Sequence, residues 1–147
     1  MAETNPTEIA GSLVPVSQHQ ARLLLEAGYV WMDMQRFDRA KEIFSGAAAL
    51  MPKSPVPQIA LGTLSLAQGQ ADKALQAYRA AQRLDPRGAL PRAHCGEALL
   101  FLKKYPEAVR ELRAAIDLDA DADGARLAAS LLEAHELGAF GVPPSKP

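Results

Sequence analysis

The residues between positions 119 and 124 carry the most specific chemical motif of the chain. Asp119, Asp121 and Asp123 alternate with alanines and are followed by Gly124, which matches the opening of a calcium-binding loop between two helices. The twelfth position of such a loop supplies a bidentate glutamate, but here it is Ser130. Negative charge also suits the start of a helix, with Asp123 as its N-cap. A calcium-responsive module is therefore an alternative, and the main expectation is no metal and no cofactor.

The histidines and the single cysteine do not form a recognisable catalytic set. No two of His19, His94 and His135 have the i, i+4 spacing that places two metal ligands on one helix face. His94 and Glu97 lie one helical turn apart, which predicts a surface ion pair. Cys95 is expected to be a small buried thiol. The chain has no phosphate-binding glycine loop, serine elbow or zinc pattern, so we expect no enzymatic activity.

The composition argues against several classes of partner. The 147 residues carry a net charge of −1, so no electrostatic footprint for nucleic acid is visible. No apolar run approaches the ~20 residues of a membrane span, and no secretory signal is recognisable at the start. One cysteine fits a reducing compartment, so we expect a cytoplasmic protein. The charged helix face at Glu107, Arg110, Glu111 and Arg113 is expected to be solvated.

Small residues recur along the chain with a fixed period. Gly28, Gly62 and Gly96 are spaced 34 residues apart. The positions that repeat with them are Ala40, Ala74 and Ala108; Phe44, Tyr78 and Leu112; Ala47, Ala81 and Ala115; and Pro52 and Pro86. This period indicates stacked helix–turn–helix units, in which helices cross closely at the small residues and a bulky residue fills the groove to the next unit.

The repeat divides the chain into units and flanking segments. The three units cover about residues 21–54, 55–88 and 89–122 of an all-α domain at 18–138. A seventh helix at about 124–137 is expected to cover the last apolar face. In the first helix, Leu24, Ala27 and Trp31 are predicted to pack inward. Residues 1–17 are predicted to form a flexible arm and residues 139–147 a disordered tail.

These positions resemble the tetratricopeptide repeat family. In that family the first helix carries a small residue where Gly28, Gly62 and Gly96 stand, the second helix carries alanine where Ala40, Ala74 and Ala108 stand, and proline ends the unit. The resemblance covers residues 21–122. It implies an α-solenoid of three repeats plus a capping helix, and a function in protein binding rather than catalysis.

The resemblance also implies a concave groove lined by the first helix of each unit. The residues at the groove positions are Leu25, Tyr29 and Met32; Ile59, Thr63 and Leu66; and Ala93, Glu97 and Leu100, with Phe101 beside them. This surface is largely apolar and predicts a protein or peptide client with apolar anchors. The family's carboxylate-clamp positions hold Leu25, Glu26, Tyr29 and Asp33 in unit one and Ile59, Ala60, Thr63 and Ala67 in unit two. They offer no cationic fork for an acidic tail.

A finer resemblance is to the class II translocator chaperones of bacterial type III secretion. It is carried by three repeats plus a final helix in a short chain, and by the segment from Pro91 to Leu100. It implies a cytoplasmic chaperone that holds a secreted partner. A structural adaptor within a larger assembly is an alternative. An uncovered first unit would provide a homodimer contact.

Overall fold

The computed structural model of the protein describes residues 16–141, and this part of the chain is built from helices joined by short turns. The helices are α1 (Gln18–Asp33), α2 (Phe37–Leu50), α3 (Val56–Ala67), α4 (Ala71–Leu84), α5 (Ala89–Phe101), α6 (Tyr105–Leu118) and α7 (Asp123–Glu136). Within this range no helix is both long enough and apolar enough to cross a membrane. The predicted arm at residues 1–17 falls almost entirely outside the described residues.

The helices pack as three consecutive pairs. α1 packs on α2, α3 on α4 and α5 on α6, while α7 lies against both α5 and α6. Three core clusters run along the stack. The first joins the first pair to α3 and the second joins the second pair to α5, while the cluster of the third pair includes Ala128 and Leu131 of α7. The predicted all-α superhelix of three repeats and a capping helix is therefore confirmed.

The glycine of each unit sits where its two helices cross. A Cβ at Gly28 would overlap the ring of Phe44, and a Cβ at Gly62 would overlap the ring of Tyr78. At Gly96 it would lie 2.5 Å from a methyl group of Leu112. The bulky residue of the second helix thus occupies the space that the glycine leaves. The 34-residue spacing of small and large residues is explained by this contact within each pair.

The alanines of the repeat are all excluded from solvent. Each second helix contributes two of them, and all six have 0% exposure: Ala40, Ala47, Ala74, Ala81, Ala108 and Ala115. A larger side chain at any of these positions would force the helices apart.

The turn inside each pair requires a residue with positive φ. Gln35 (φ 59°), Gly69 (φ 73°) and Lys103 (φ 63°) occupy equivalent positions at the ends of α1, α3 and α5. At each, two backbone N–H groups donate to carbonyls of the last helical turn, as from Gly69 to Leu66. Only the second unit places glycine there, so two units hold an L-residue in the left-handed region.

Gln35→Gly is expected to stabilise the protein by about 0.5–1 kcal/mol, because glycine adopts positive φ without a Cβ penalty. Gln35 is exposed, so the substitution removes no packing. Urea denaturation measures the change in the free energy of unfolding. The reverse exchange, Gly69→Gln, should destabilise by a similar amount. Equal midpoints for all three proteins would contradict this account of the turn.

The capping helix differs from its prediction at both ends. The N-cap is Ala122 rather than Asp123, which is the first helical residue and pairs with Arg126 at 3.1 Å. The helix ends at Glu136 rather than at about residue 137, and Gly138 follows the C-cap residue Leu137 with φ 83°. Beyond it, Phe140 packs edge-to-face on Phe101 at a centroid distance of 5.3 Å, so the disordered tail predicted from residue 139 does not include Phe140.

The outer side of α1 has no covering helix in the described part of the chain. Leu23, Val30 and Met34 are between 49% and 62% exposed. Ala27 lies on the same side and is exposed, so the prediction that it packs inward is wrong, whereas Trp31 packs against the first core cluster. The first unit therefore presents an apolar stripe to solvent.

Candidate partner-binding groove

The ten residues predicted for the groove divide by burial. Three of them are buried in the folded chain: Ile59, Ala93 and Leu100. The others are half-buried or exposed: Leu25, Tyr29, Met32, Thr63, Leu66, Glu97 and Phe101. Only the second set can contact a partner without rearrangement of the chain, and we call these seven residues the groove.

The prediction that Ile59, Ala93 and Leu100 line the groove is corrected, because all three side chains lie in the core. Ala93 and Leu100 have 0% exposure and belong to the core cluster of the third pair, to which the capping helix contributes Ala128 and Leu131. Ile59 packs in the core of the second pair. Because these α5 positions are buried, the accessible apolar surface is formed by units one and two, together with Phe101 at the end of α5.

The groove is apolar along the first helix. Leu25, Tyr29 and Met32 each rest against the first core cluster while keeping part of the side chain accessible. The Tyr29 ring meets Phe44 edge-on at a centroid distance of 5.1 Å. Burial raises the pKa of the Tyr29 hydroxyl, so the side chain stays neutral. These residues have the right character to bury apolar side chains of a peptide.

A polar cluster lies beside the centre of the groove. The Thr63 hydroxyl donates to the Ile59 carbonyl at 3.0 Å and lies 3.3 Å from the Tyr78 hydroxyl. The Tyr78 ring is fully buried and stacks on His94 at 4.9 Å. Burial raises the pKa of Tyr78 well above its usual range, so this side chain remains a neutral hydrogen-bonding group.

His94 and Glu97 form the predicted pair, but the pair is largely buried rather than on the surface. The His94 Nδ1 and Glu97 Oε2 atoms are 2.8 Å apart, and the side chains are 15% and 22% exposed. Stacking of the His94 ring on Tyr78 explains the burial of the pair. The sequence carried no signal for it, because Tyr78 and His94 lie on helices of different units.

Cys95 is buried with 0% exposure, as predicted. Burial raises the pKa of its thiol to about 11, and its Sγ lies 3.8 Å from Gln82 Oε1. Because the thiolate is the nucleophilic form, this cysteine is unreactive near neutral pH.

Iodoacetamide at pH 8 is expected to alkylate Cys95 at least about a hundredfold more slowly in the native protein than in the urea-unfolded chain. The raised pKa lowers the thiolate fraction, and burial blocks the reagent. Raising the pH by one unit should increase the native rate about tenfold, because it increases the thiolate fraction by that factor. Intact-mass spectrometry measures both rates, and similar rates would contradict a buried thiol.

The calcium motif has no metal-binding geometry. Asp119 accepts a hydrogen bond from the Asp121 backbone N–H at 3.1 Å, and Asp123 pairs with Arg126. Throughout residues 16–141 no three histidine, cysteine or acidic side chains are placed to hold a metal ion. Gly124 has another role, because a Cβ there would overlap the backbone of Ala89 at the start of α5. The close packing of α7 on α5 therefore explains this glycine without a metal.

The charged face predicted on α6 is only partly solvated. Glu111 has a side chain 16% exposed and accepts a hydrogen bond from Arg79 of α4. Its second oxygen lies 3.6 Å from Arg92 of α5. Sequence spacing could not reveal this cluster, because its three members come from three helices of two units.

The three helix pairs and the capping helix form an all-α fold like that of tetratricopeptide repeat domains. The family model described as tetratricopeptide repeat matches residues 32–86. No curated protein sequence matches the chain significantly.

Solved structures extend the likeness to the whole described fold. The chain is similar to the type III secretion translocator chaperone SycD of Yersinia enterocolitica, with 24% identity, a TM-score of 0.69, and coverage of 80% of this chain and 91% of that chain. It is similar to PcrH of Pseudomonas aeruginosa, solved with the chaperone-binding region of PopB, with 23% identity, a TM-score of 0.66, and coverage of 78% and 93%. The first repeat domain of Spaghetti (RPAP3), bound to an HSP90 peptide, gives 19% identity, a TM-score of 0.63, and coverage of 80% and 97%.

Proposed function

We propose that this chain is a cytoplasmic chaperone that holds an apolar or extended segment of a secreted partner in its groove. The observation that carries the proposal is the row of half-buried apolar side chains on the first helices: Leu25, Tyr29, Met32 and Leu66. Such a row can bury apolar anchors of a client, each contributing about 1.5–3 kcal/mol when fully enclosed. The client would remain soluble until it is handed on.

The chemistry of the groove favours an apolar client over an acidic tail. The HSP90 peptide SRMEEVD, bound to the Spaghetti domain, is rich in carboxylates. Here the clamp positions of unit one hold Leu25, Glu26, Tyr29 and Asp33, which offer no cation. A peptide of this acidic class would place its carboxylates near Glu26 and Asp33 and be repelled. SycD has been solved with a peptide of the translocator YopD, which supports a translocator-like client instead.

Co-purification of the full chain from its host, followed by mass spectrometry of the bound protein, tests the proposal. We expect one secreted protein with an apolar segment, and a peptide spanning that segment should bind the purified chain. Recovery of cytoplasmic assembly subunits, with no secreted protein, would instead support the adaptor function and overturn the chaperone proposal.

The apolar stripe on α1 supports the predicted homodimer contact. Leu23, Val30 and Met34 are adjacent on one side of the helix and face away from α2 and α3. Analytical ultracentrifugation of the wild type and of Val30→Glu tests this contact. We expect the wild type to sediment as a dimer and the variant as a monomer. A monomeric wild type would overturn it.

A further inference from the structure

The side of the molecule formed by the second helices carries a charged cleft. Two adjoining cavities of about 300 and 400 Å³ lie between α4, α5 and α6 and share Arg79 and Arg92. The other charged residues that line them are Arg83, Glu107, Arg110 and Glu111. None of these six residues belongs to the groove.

The centre of the cleft is an ion cluster with excess positive charge. Glu111 is the one carboxylate for two guanidinium groups, those of Arg79 and Arg92. The Arg92 Nε atom and one Glu111 oxygen are shielded from solvent and have no hydrogen-bond partner within residues 16–141. The side chains of Arg79 and Arg92 are 35% and 29% exposed, so they are held by Glu111 while remaining partly accessible from the cleft.

The rim of the cleft adds two more cations. Arg83 of α4 and Arg110 of α6 are exposed. In the described part of the chain neither has a carboxylate oxygen within the 4.0 Å that defines an ion pair, whereas Arg39 and Arg126 each have one. The cleft therefore carries four arginines against two glutamates.

We propose that this cleft binds an acidic segment of a partner protein, independently of the groove. Guanidinium groups recognise carboxylates through paired, charge-assisted hydrogen bonds, and four of them converge here from three helices. The net charge of the whole chain is −1, so the long-range field that attracts a nucleic acid is missing. A short acidic segment fits a local positive cleft on an otherwise balanced surface.

A fluorescein-labelled hexaglutamate peptide is the probe, and fluorescence anisotropy measures its binding to the full chain at about 50 mM and about 200 mM salt. The wild type should bind it, more weakly at the higher salt. The double variant Arg83→Glu, Arg110→Glu should lose about tenfold or more in affinity. The control Arg39→Glu, Arg126→Glu makes the same change in net charge on α2 and α7 and should stay within about twofold.

Several outcomes would overturn the proposal. An equal loss in the control would reveal only general charge attraction, and an unchanged double variant would place the peptide elsewhere. A single-stranded oligonucleotide that binds more tightly through Arg83 and Arg110 would assign the cleft to nucleic acid. Inorganic phosphate that binds as tightly as the peptide would assign it to a free anion. Because both substituted arginines are exposed, a thermal melt should show the fold retained.

Discussion

Gly62→Ala is expected to destabilise the protein by about 1–3 kcal/mol, although alanine is the better helix former. The added Cβ would overlap the ring of Tyr78. That ring cannot move aside cheaply, because it is fully buried, stacks on His94 and has its hydroxyl 3.3 Å from Thr63. Urea denaturation followed by circular dichroism measures the free energy of unfolding.

Gly46→Ala is the matched control for this substitution. Gly46 is an exposed helical glycine in α2, and a Cβ there would meet nothing within 4 Å. The same chemical change should therefore stabilise the protein by about 0.5–1 kcal/mol through helix propensity alone. Changes in the free energy of unfolding that have opposite signs for Gly62→Ala and Gly46→Ala would support the close crossing of α3 and α4. Stabilisation by both would mean that the two helices do not meet at Gly62.

The double variant Met32→Glu, Leu66→Glu is expected to weaken binding of the client segment by about a hundredfold or more. Each of these side chains would bury an apolar anchor, and losing two such contacts costs about 3 kcal/mol. Both side chains are half-buried, so the charges can reach solvent and the fold should persist. Isothermal titration calorimetry with the segment identified by co-purification measures the change.

Leu137→Glu is the control for the groove variant. Leu137 is 80% exposed, follows the capping helix and is not one of the groove residues. It should leave client affinity unchanged. If client binding survives both groove substitutions, the groove is not the binding site. The same variants should leave hexaglutamate binding intact, because the arginine cleft lies on other helices.

Local spacing predicted the repeated part of the fold closely. The helix pair of the second unit, α3 and α4, lies within the predicted range 55–88, and that of the third unit, α5 and α6, lies within 89–122. This succeeded because each unit repeats the same contact between its two helices. The left-handed backbone conformation of Gln35 and Lys103 was not predicted, because of the three equivalent positions only Gly69 is a residue type that commonly adopts it.

The candidate site was predicted less completely. Leu25, Tyr29, Met32 and Leu66 remain accessible, but Ala93 and Leu100 are buried in the core that the third pair forms with the capping helix. Spacing within one helix defines the face on which a side chain lies. It does not define which neighbouring helix covers that face. For this reason the same repeat position is accessible in the groove of the first unit, at Met32, and buried in the core of the third unit, at Leu100.

The sequence by itself determined the all-α repeat architecture and the pairing of helices at Gly28, Gly62 and Gly96, because both follow from contacts repeated every 34 residues. Only the tertiary structure decided three other features. It reassigned Gly124 from a calcium loop to helix packing, it stacked His94 on Tyr78, and it joined Arg79, Arg92 and Glu111 into one cluster. Each of these depends on contacts between different units, or between a unit and the capping helix, and the stacking of the helices sets those contacts.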